Sequence, residues 1–173
     1  YNGTWKEKKI STKKSSSGKN IWSYFTFNNN EIDKINYRIA ISFVSIENAK
    51  ENLKKEEKHL TFGEYQRETS KEWDKYLSTI KINSKNEDRI KQFYTHFYHS
   101  LIHPNIVSDV NGEYMGADFK VHKTKENREQ YSSFSVWDTY RTQGQLIAML
   151  FPKKSSDMMQ SLVDFAEQAG GYG

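Results

Sequence analysis

Cysteine is absent from the 173-residue chain, which excludes disulfides, thiolate metal sites and thiol nucleophiles. That absence leaves the compartment open, because exported proteins also do without cysteine. No apolar run approaches the roughly 20 residues of a membrane helix, and no signal peptide begins the sequence. Neither sign of charge dominates, with 26 Lys and Arg against 22 Asp and Glu. Stretches such as "KEKKISTKK" and "ENLKKEEKH" read as mixed, solvated faces, and no basic stripe for nucleic acid emerges. P-loop, G-x-G-x-x-G, G-x-S-x-G and H-E-x-x-H patterns are all missing, so the familiar enzyme classes that use them have no support.

What is present suits one domain, or parts of two. The chain is 35% hydrophobic and 14% aromatic, with a mean hydropathy of −0.91, so much of its apolar content lies in large rings. Tyr and Trp bury area while keeping a polar handle, which serves both cores and sugar platforms. The chain begins without Met and ends on "AGGYG", as a piece of a longer protein would.

Two regimes follow along the chain. Residues 1–46 read as β. "IWSYFTF" is rich in β-branched and aromatic residues, and "YRIAISF" alternates Tyr37, Ile39, Ile41 and Phe43 against Arg38, Ala40 and Ser42, with a turn at "NNNEIDK" between them. From Glu47 the period becomes helical. Ala49 and Leu53 suit a short helix, and Phe62, Tyr65, Thr69, Trp73, Tyr76 and Ile80 a second. Asn86 caps a third, with Ile90, Phe93, Phe97 and Leu101 in one line ending near Pro104. Residues 105–132 lose periodicity. A helix from Ser135 should then bury Trp137, Tyr140, Gly144, Ile147 and Phe151 before Pro152, and a last one, about Ser155 to Ala169, should use Met159, Leu162 and Ala166 and end at Gly170 and Gly171. Strands first and helices after give the α+β class.

Three clusters carry chemistry. In "SVWDTYR" the S-x-x-D spacing of Ser135 and Asp138 is that of a capping box. Capping leaves Trp137 unexplained, and Arg141, three residues after Asp138, is placed to pair with it. An ionised carboxylate beside an indole grips a sugar: the ring covers a C–H face and the oxygens accept O–H donors. His96, His99 and His103 lie at helical spacing, as metal ligands or as packing residues. "DVNGEYMGAD" alternates oxygen ligands as calcium loops do, but lacks the closing Glu of an EF-hand.

The succession "FYHSLIHPNIVSDVNGEYMGAD", "VHK", "YSSFSVWDTYRTQGQLIAMLFP" and "DMMQSLVDFAEQAGGYG" resembles the start of the catalytic domain of glycoside hydrolase family 92, the calcium-dependent exo-acting α-mannosidases. "RIAISFVSIENAKENLKKE" resembles the exit from that family's N-terminal β-sandwich. The resemblance implies a multidomain α+β piece: a β-sandwich portion over 1–46, a helical linker over 47–85, and the first helices of an (α/α)6 barrel over 86–173. It implies removal of terminal α-linked mannose, α-1,2 linkages included, from N-glycan-type substrates with inversion. Trp137 and Asp138 would line the terminal-mannose pocket and Arg141 would orient them. The general acid, the base and the main Ca2+ ligands would follow Gly173, which leaves the isolated chain inactive. The partner is then a mannose-containing glycan and the location secreted, cell-surface or periplasmic. The competing class is a non-catalytic carbohydrate-binding or interaction module with the Trp137 cluster in its core.

Overall fold

The structure is a computed structural model and describes the chain apart from residues 1, 2, 7, 14, 15, 18, 29–33, 58, 59, 126, 127, 172 and 173. It separates into two compact units, Tyr1–Arg38 and Ile39–Gly173. In the first, β1 (Gly3–Lys6) lies between β2 (Lys9–Ser11) and β3 (Ile21–Tyr24), antiparallel to both. Trp5 stands opposite Trp22 with ring centroids 5.3 Å apart, the kind of cross-strand aromatic pair that holds a small sheet together. β3 realises the first half of "IWSYFTF". The turn expected at "NNNEIDK" falls largely outside the described residues.

The strand expected at "YRIAISF" does not form, and Tyr37, Ile39, Ile41 and Phe43 are all exposed. Alternation supplies an apolar face, but a strand also needs a neighbour for its N–H and C=O groups. None of the described strands pairs with this segment. Ile41 O instead accepts from Asn52 Nδ2 at 3.0 Å. Just beyond, Ser42 Oγ accepts from the backbone N–H of Val44 and Ser45 at 3.0 and 3.2 Å, turning the chain into a helix.

That helix, α1 (Ile46–Glu56), is capped by Ser45, whose Oγ accepts from Asn48 N at 3.0 Å. Its innermost residues are Asn48 and Asn52, while the expected Ala49 and Leu53 are only half-buried. α2 (Phe62–Leu77) begins where Thr61 N and Oγ1 both donate to Glu64 Oε2 at 2.7 Å. α3 (Glu87–Ser100) begins at Asn86, whose Oδ1 accepts from Arg89 N at 3.1 Å, as its sequence requires. Phe97 on α3 is buried, and α2 meets α3 where Trp73 and Tyr98 pack edge-on at 4.5 Å.

β4 (Asn105–Ile106) pairs with β7 (Tyr131–Ser132), and β5 (Glu113–Met115) forms a hairpin with β6 (Val121–Lys123). The single helix expected from Ser135 is two: α4 (Val136–Thr139) and α5 (Gln143–Leu150). Thr142 takes a left-handed φ of 64° between them. Gln143 Nε2 donates to Ser100 O and His103 O at 2.8 and 3.0 Å, tying the start of α5 to the end of α3. Two tertiary hydrogen bonds outweigh helical continuity there. Pro152 opens α6 (Pro152–Gln168) at its first position, where a missing N–H costs nothing. α6 buries Asp157, Ser161 and Ala166, and leaves the expected Met159 exposed. Gly170 and Gly171, with φ of 91° and 125°, end it as expected. The apolar core, Phe97, Tyr114, Tyr131, Ile147 and Ala166, lies among α3, the hairpin, β7, α5 and α6. No helix among the described residues is long and apolar enough to cross a membrane.

Candidate functional site

The "DVNGEYMGAD" stretch folds as a turn followed by the β5–β6 hairpin. Gly112 N donates to Asp109 O at 2.8 Å, and Gly112 has a φ of 85°, which an L side chain rarely adopts. Gly116 is closely approached by side chains: a Cβ there would meet His122 Cδ2 at 2.6 Å and Gln168 Oε1 at 2.8 Å, and these would have to shift. Two acids of the stretch, Asp109 and Glu113, meet at Asn48. Asp109, 8% exposed, accepts from Ser42 Oγ at 2.7 Å and Asn48 Nδ2 at 2.8 Å on Oδ2, and from Asn52 Nδ2 at 2.7 Å on Oδ1. Asn48 Nδ2 also donates to Glu113 Oε2 at 2.9 Å, and Val110 N donates back to Asn52 Oδ1 at 2.9 Å. A buried carboxylate surrounded by neutral donors is a clamp that fastens α1 to the loop. Asp118 faces elsewhere, with His122 Nε2 at 2.9 Å, and that hydrogen bond holds its carboxyl below the usual range.

Sequence reasoning missed this clamp. Its available signal was Asn48 and Asn52 at i, i+4 on a helix otherwise rich in Lys and Glu, since Asn is a poor helix former that belongs where its amide is used. Among the described residues no group of three or more His, Asp or Glu is placed to hold a metal ion. His96 and His99 are exposed on α3. His103 lines a hollow of about 450 Å³ together with Trp73, Tyr76 and Lys154.

Trp137 and Asp138 both stand on α4 and both face solvent, Trp137 at 83% exposure. The expectation that α4 buries Trp137 is overturned. Asp138 accepts a short hydrogen bond from Ser135 Oγ on Oδ2, so the Ser–Asp spacing acts through the two side chains. Arg141 does not reach Asp138: its Nε donates to Tyr140 Oη at 2.5 Å, and its guanidinium lies 5.2 Å from that ring's centroid. The Tyr140 ring in turn lies 6.4 Å from Trp137. Indole, carboxylate, phenol and guanidinium therefore share one exposed turn.

The segment leading into α4 lines a larger hollow of about 930 Å³, through Tyr131, Ser132, Ser133, Phe134 and Val136. Behind it, Tyr131 is anchored at both ends. Its N–H donates to Ser161 Oγ at 2.9 Å, and Ser161, fully buried, donates to Asp157 O at 2.7 Å. The Tyr131 hydroxyl donates to Glu129 Oε2 at 2.6 Å, and burial together with the Glu129 charge pushes its ionisation far above the usual range. Lys154 reaches the same Glu129 oxygen at 3.2 Å. Arg128 Nη2 holds Asp164 Oδ2 on α6 at 2.6 Å. These bonds fix the approach to α4 while leaving α4 itself uncovered.

The pattern of the glycosyl hydrolase family 92 catalytic domain matches residues 48–172. Among solved structures, that of the family 92 glycosyl hydrolase ccman5 is 31% identical with a TM-score of 0.66, covering 76% of this chain and 18% of that one. The family 92 α-mannosidase BT3965 from Bacteroides thetaiotaomicron has a TM-score of 0.75 at 23% identity, covering 95% of this chain and 23% of that one. Its complex with mannoimidazole gives the same TM-score and identity over 22% of that chain. The chain thus spans under a quarter of the length of these structures. Their fold is shared by its mixture of helices and small antiparallel sheets. No protein of curated function matches the sequence.

Proposed function

The chain belongs to glycosyl hydrolase family 92, and we propose that it forms part of an exo-acting, inverting α-mannosidase that releases terminal α-linked mannose, α-1,2 linkages included, from N-glycan-type oligosaccharides. The observation that carries the reading is the exposed pair of Trp137 and Asp138 on α4. An indole left in water at the end of a well-anchored segment is a platform for the C–H face of a sugar. Asp138 keeps Oδ1 free for sugar hydroxyls while Oδ2 is held by Ser135. Arg141 orients this turn through the Tyr140 ring. A family 92 α-mannosidase of like fold is known with mannoimidazole bound, which supports mannose as the sugar.

Inversion needs a carboxylic acid at the leaving oxygen and a carboxylate base on water, about 6.5–9.5 Å apart. In this reading both come from other parts of the catalytic domain. Asp109, Asp157 and Asp164 are each committed to internal hydrogen bonds. The family's calcium is proposed to be held by those other parts as well, because no three of the described His, Asp or Glu residues are placed to hold a metal ion, and no step is assigned to it in this chain. Such a substrate places the enzyme outside the cytoplasm, secreted, at the cell surface or in the periplasm.

Asp138→Asn in the full-length enzyme should lower kcat/KM on an aryl α-mannoside by about 100-fold, roughly 2.7 kcal/mol of transition-state stabilisation, with the melting temperature unchanged. Unchanged kinetics would reduce Asp138 to a capping residue. The 173-residue chain alone should show no hydrolysis, and calcium-dependent turnover by it would refute the assignment of acid and base elsewhere.

A further inference from the structure

We propose that Phe119, at the tip of the β5–β6 hairpin, is a specificity-determining residue: resting on the mannosidase reading above, its ring is a stacking platform for the glycan beyond the terminal mannose. Phe119 then receives the leaving group.

The hairpin turn is built for a residue other than Phe. Phe119 N donates to Gly116 O at 3.0 Å and Gly116 N donates to Lys120 O at 2.8 Å, so Ala117, Asp118 and Phe119 form a three-residue loop. The last position of such a loop is left-handed and is ordinarily glycine. Phe119 occupies it with a φ of 60°, unfavourable for an L side chain and an outlier for a bulky one. The ring recovers nothing by burial, because Phe119 is 88% exposed. A residue that breaks both the backbone rule and the burial rule marks a functional position.

The loop that carries the ring is held on both sides. Ala117 N donates to Gln168 Oε1 at 3.1 Å, and Gln168 Nε2 donates to the Tyr114 hydroxyl at 2.9 Å. Asp118 Oδ1 lies 2.9 Å from His122 Nε2 and accepts from Lys120 N at 3.1 Å. His122 stacks on Tyr114 with ring centroids 5.7 Å apart. A ring projected from so fixed a turn gives up little freedom when a ligand arrives.

Placement and surroundings name the ligand. Met115 and Ala117 of the hairpin line one hollow with Ser133, Phe134 and Val136 of the approach to α4. Phe119 comes two residues after Ala117, and Trp137 directly after Val136, so each of these elements carries a ring beside the hollow. Phe119 and Trp137, at 88% and 83%, are the most exposed large apolar side chains among the described residues. Two rings in water beside one hollow suit a chain of sugars, whose C–H faces stack while their hydroxyls keep hydrogen bonds to water. Charge weighs against a protein surface over Phe119. The Lys120 side chain next to it is 79% exposed, and covering the ring would strip water from that ammonium. With the terminal mannose on Trp137 and Asp138, the ring of the hairpin is left for the sugars that follow.

The test uses the full-length enzyme and two substrates: the α-linked mannobiose that wild type cleaves fastest, and α-mannosyl fluoride, whose leaving fluoride needs no platform. Phe119→Gly should lower kcat/KM on mannobiose about tenfold, through KM, and leave the fluoride unchanged. Phe119→Tyr should keep the wild-type ratio of the two. Because glycine suits the left-handed position, the melting temperature of Phe119→Gly should stay equal or rise. A lower melting temperature would mean that the ring is packed beneath other parts of the domain. An equal loss on both substrates would mean that it supports the terminal-mannose pocket, and no loss on mannobiose that it touches no glycan; each of the three overturns the proposal. A wild type that cleaves neither mannoside overturns the mannosidase reading and the platform with it, an outcome distinct from those three, in which wild type cleaves both.

Discussion

Asp109 comes directly after Ser108 and Asp138 three residues after Ser135, yet their surroundings are opposite. Asp109 is enclosed and accepts from Ser42, Asn48 and Asn52. Asp138 is exposed and accepts from Ser135. A carboxylate that has given up water for three protein donors is a structural joint, because breaking any of those bonds strands a buried polar group. One that keeps its water can exchange it for the hydroxyls of a ligand. Motif membership therefore does not distinguish a fastening residue from a binding one, whereas burial and the list of donors do.

The comparison breaks most visibly at Asp109. Asp109→Ala removes three hydrogen bonds and leaves Ser42 Oγ without its acceptor, while Asn48 and Asn52 keep Glu113 and Ile41 O, and should cost about 2–3 kcal/mol in stability, read from the denaturant midpoint; a cost under about 0.5 kcal/mol, ordinary for a surface change, would mean that the clamp holds nothing. The converse applies to Asp138: its Asn variant should stay within about 0.5 kcal/mol of wild type in the same unfolding assay while losing catalytic efficiency. A parallel loss of stability would put it in the same class as Asp109. Ser161→Ala removes the hydroxyl that joins Tyr131 N to Asp157 O and should cost about 1–2 kcal/mol, sharpening the contrast by showing that the anchorage behind α4 is structural too.

The smallest effect is at Asp118. Its pKa is held below the usual range first by the His122 hydrogen bond, so its contribution is present above the ordinary carboxylate pKa and is lost as pH falls through the lowered value. Asp118→Asn should lower stability slightly at neutral pH and converge on wild type at the acid extreme, so that the acid limb of the profile flattens. A variant with the same acid limb as wild type would detach the pair from stability.

Legibility in the sequence followed the range of the interactions involved. Asn86 as a cap, Gly170 and Gly171 at a helix end, and the line from Ile90 to Leu101 were readable because capping and periodicity act within a turn or two. The inward face of α1 was not, because Asn48 and Asn52 are buried only by an acid some 60 residues away. "YRIAISF" has the pattern of a strand and lacks a paired neighbour among the described strands. In the candidate site, Trp137, Asp138 and Arg141 lie within five positions of the sequence, but Arg141 pairs with Tyr140 and not with Asp138.

By itself, then, the chain determined its helix caps, its glycine stops and the clustering of an indole, an acid and a guanidinium at one turn, all consequences of bonds between near neighbours. Tertiary structure decided which carboxylate is sealed and which is open, and where the helix after Ser135 breaks. Those outcomes depend on the enclosure of one segment by distant ones, and enclosure is a property of packing in space that no short window of residues contains.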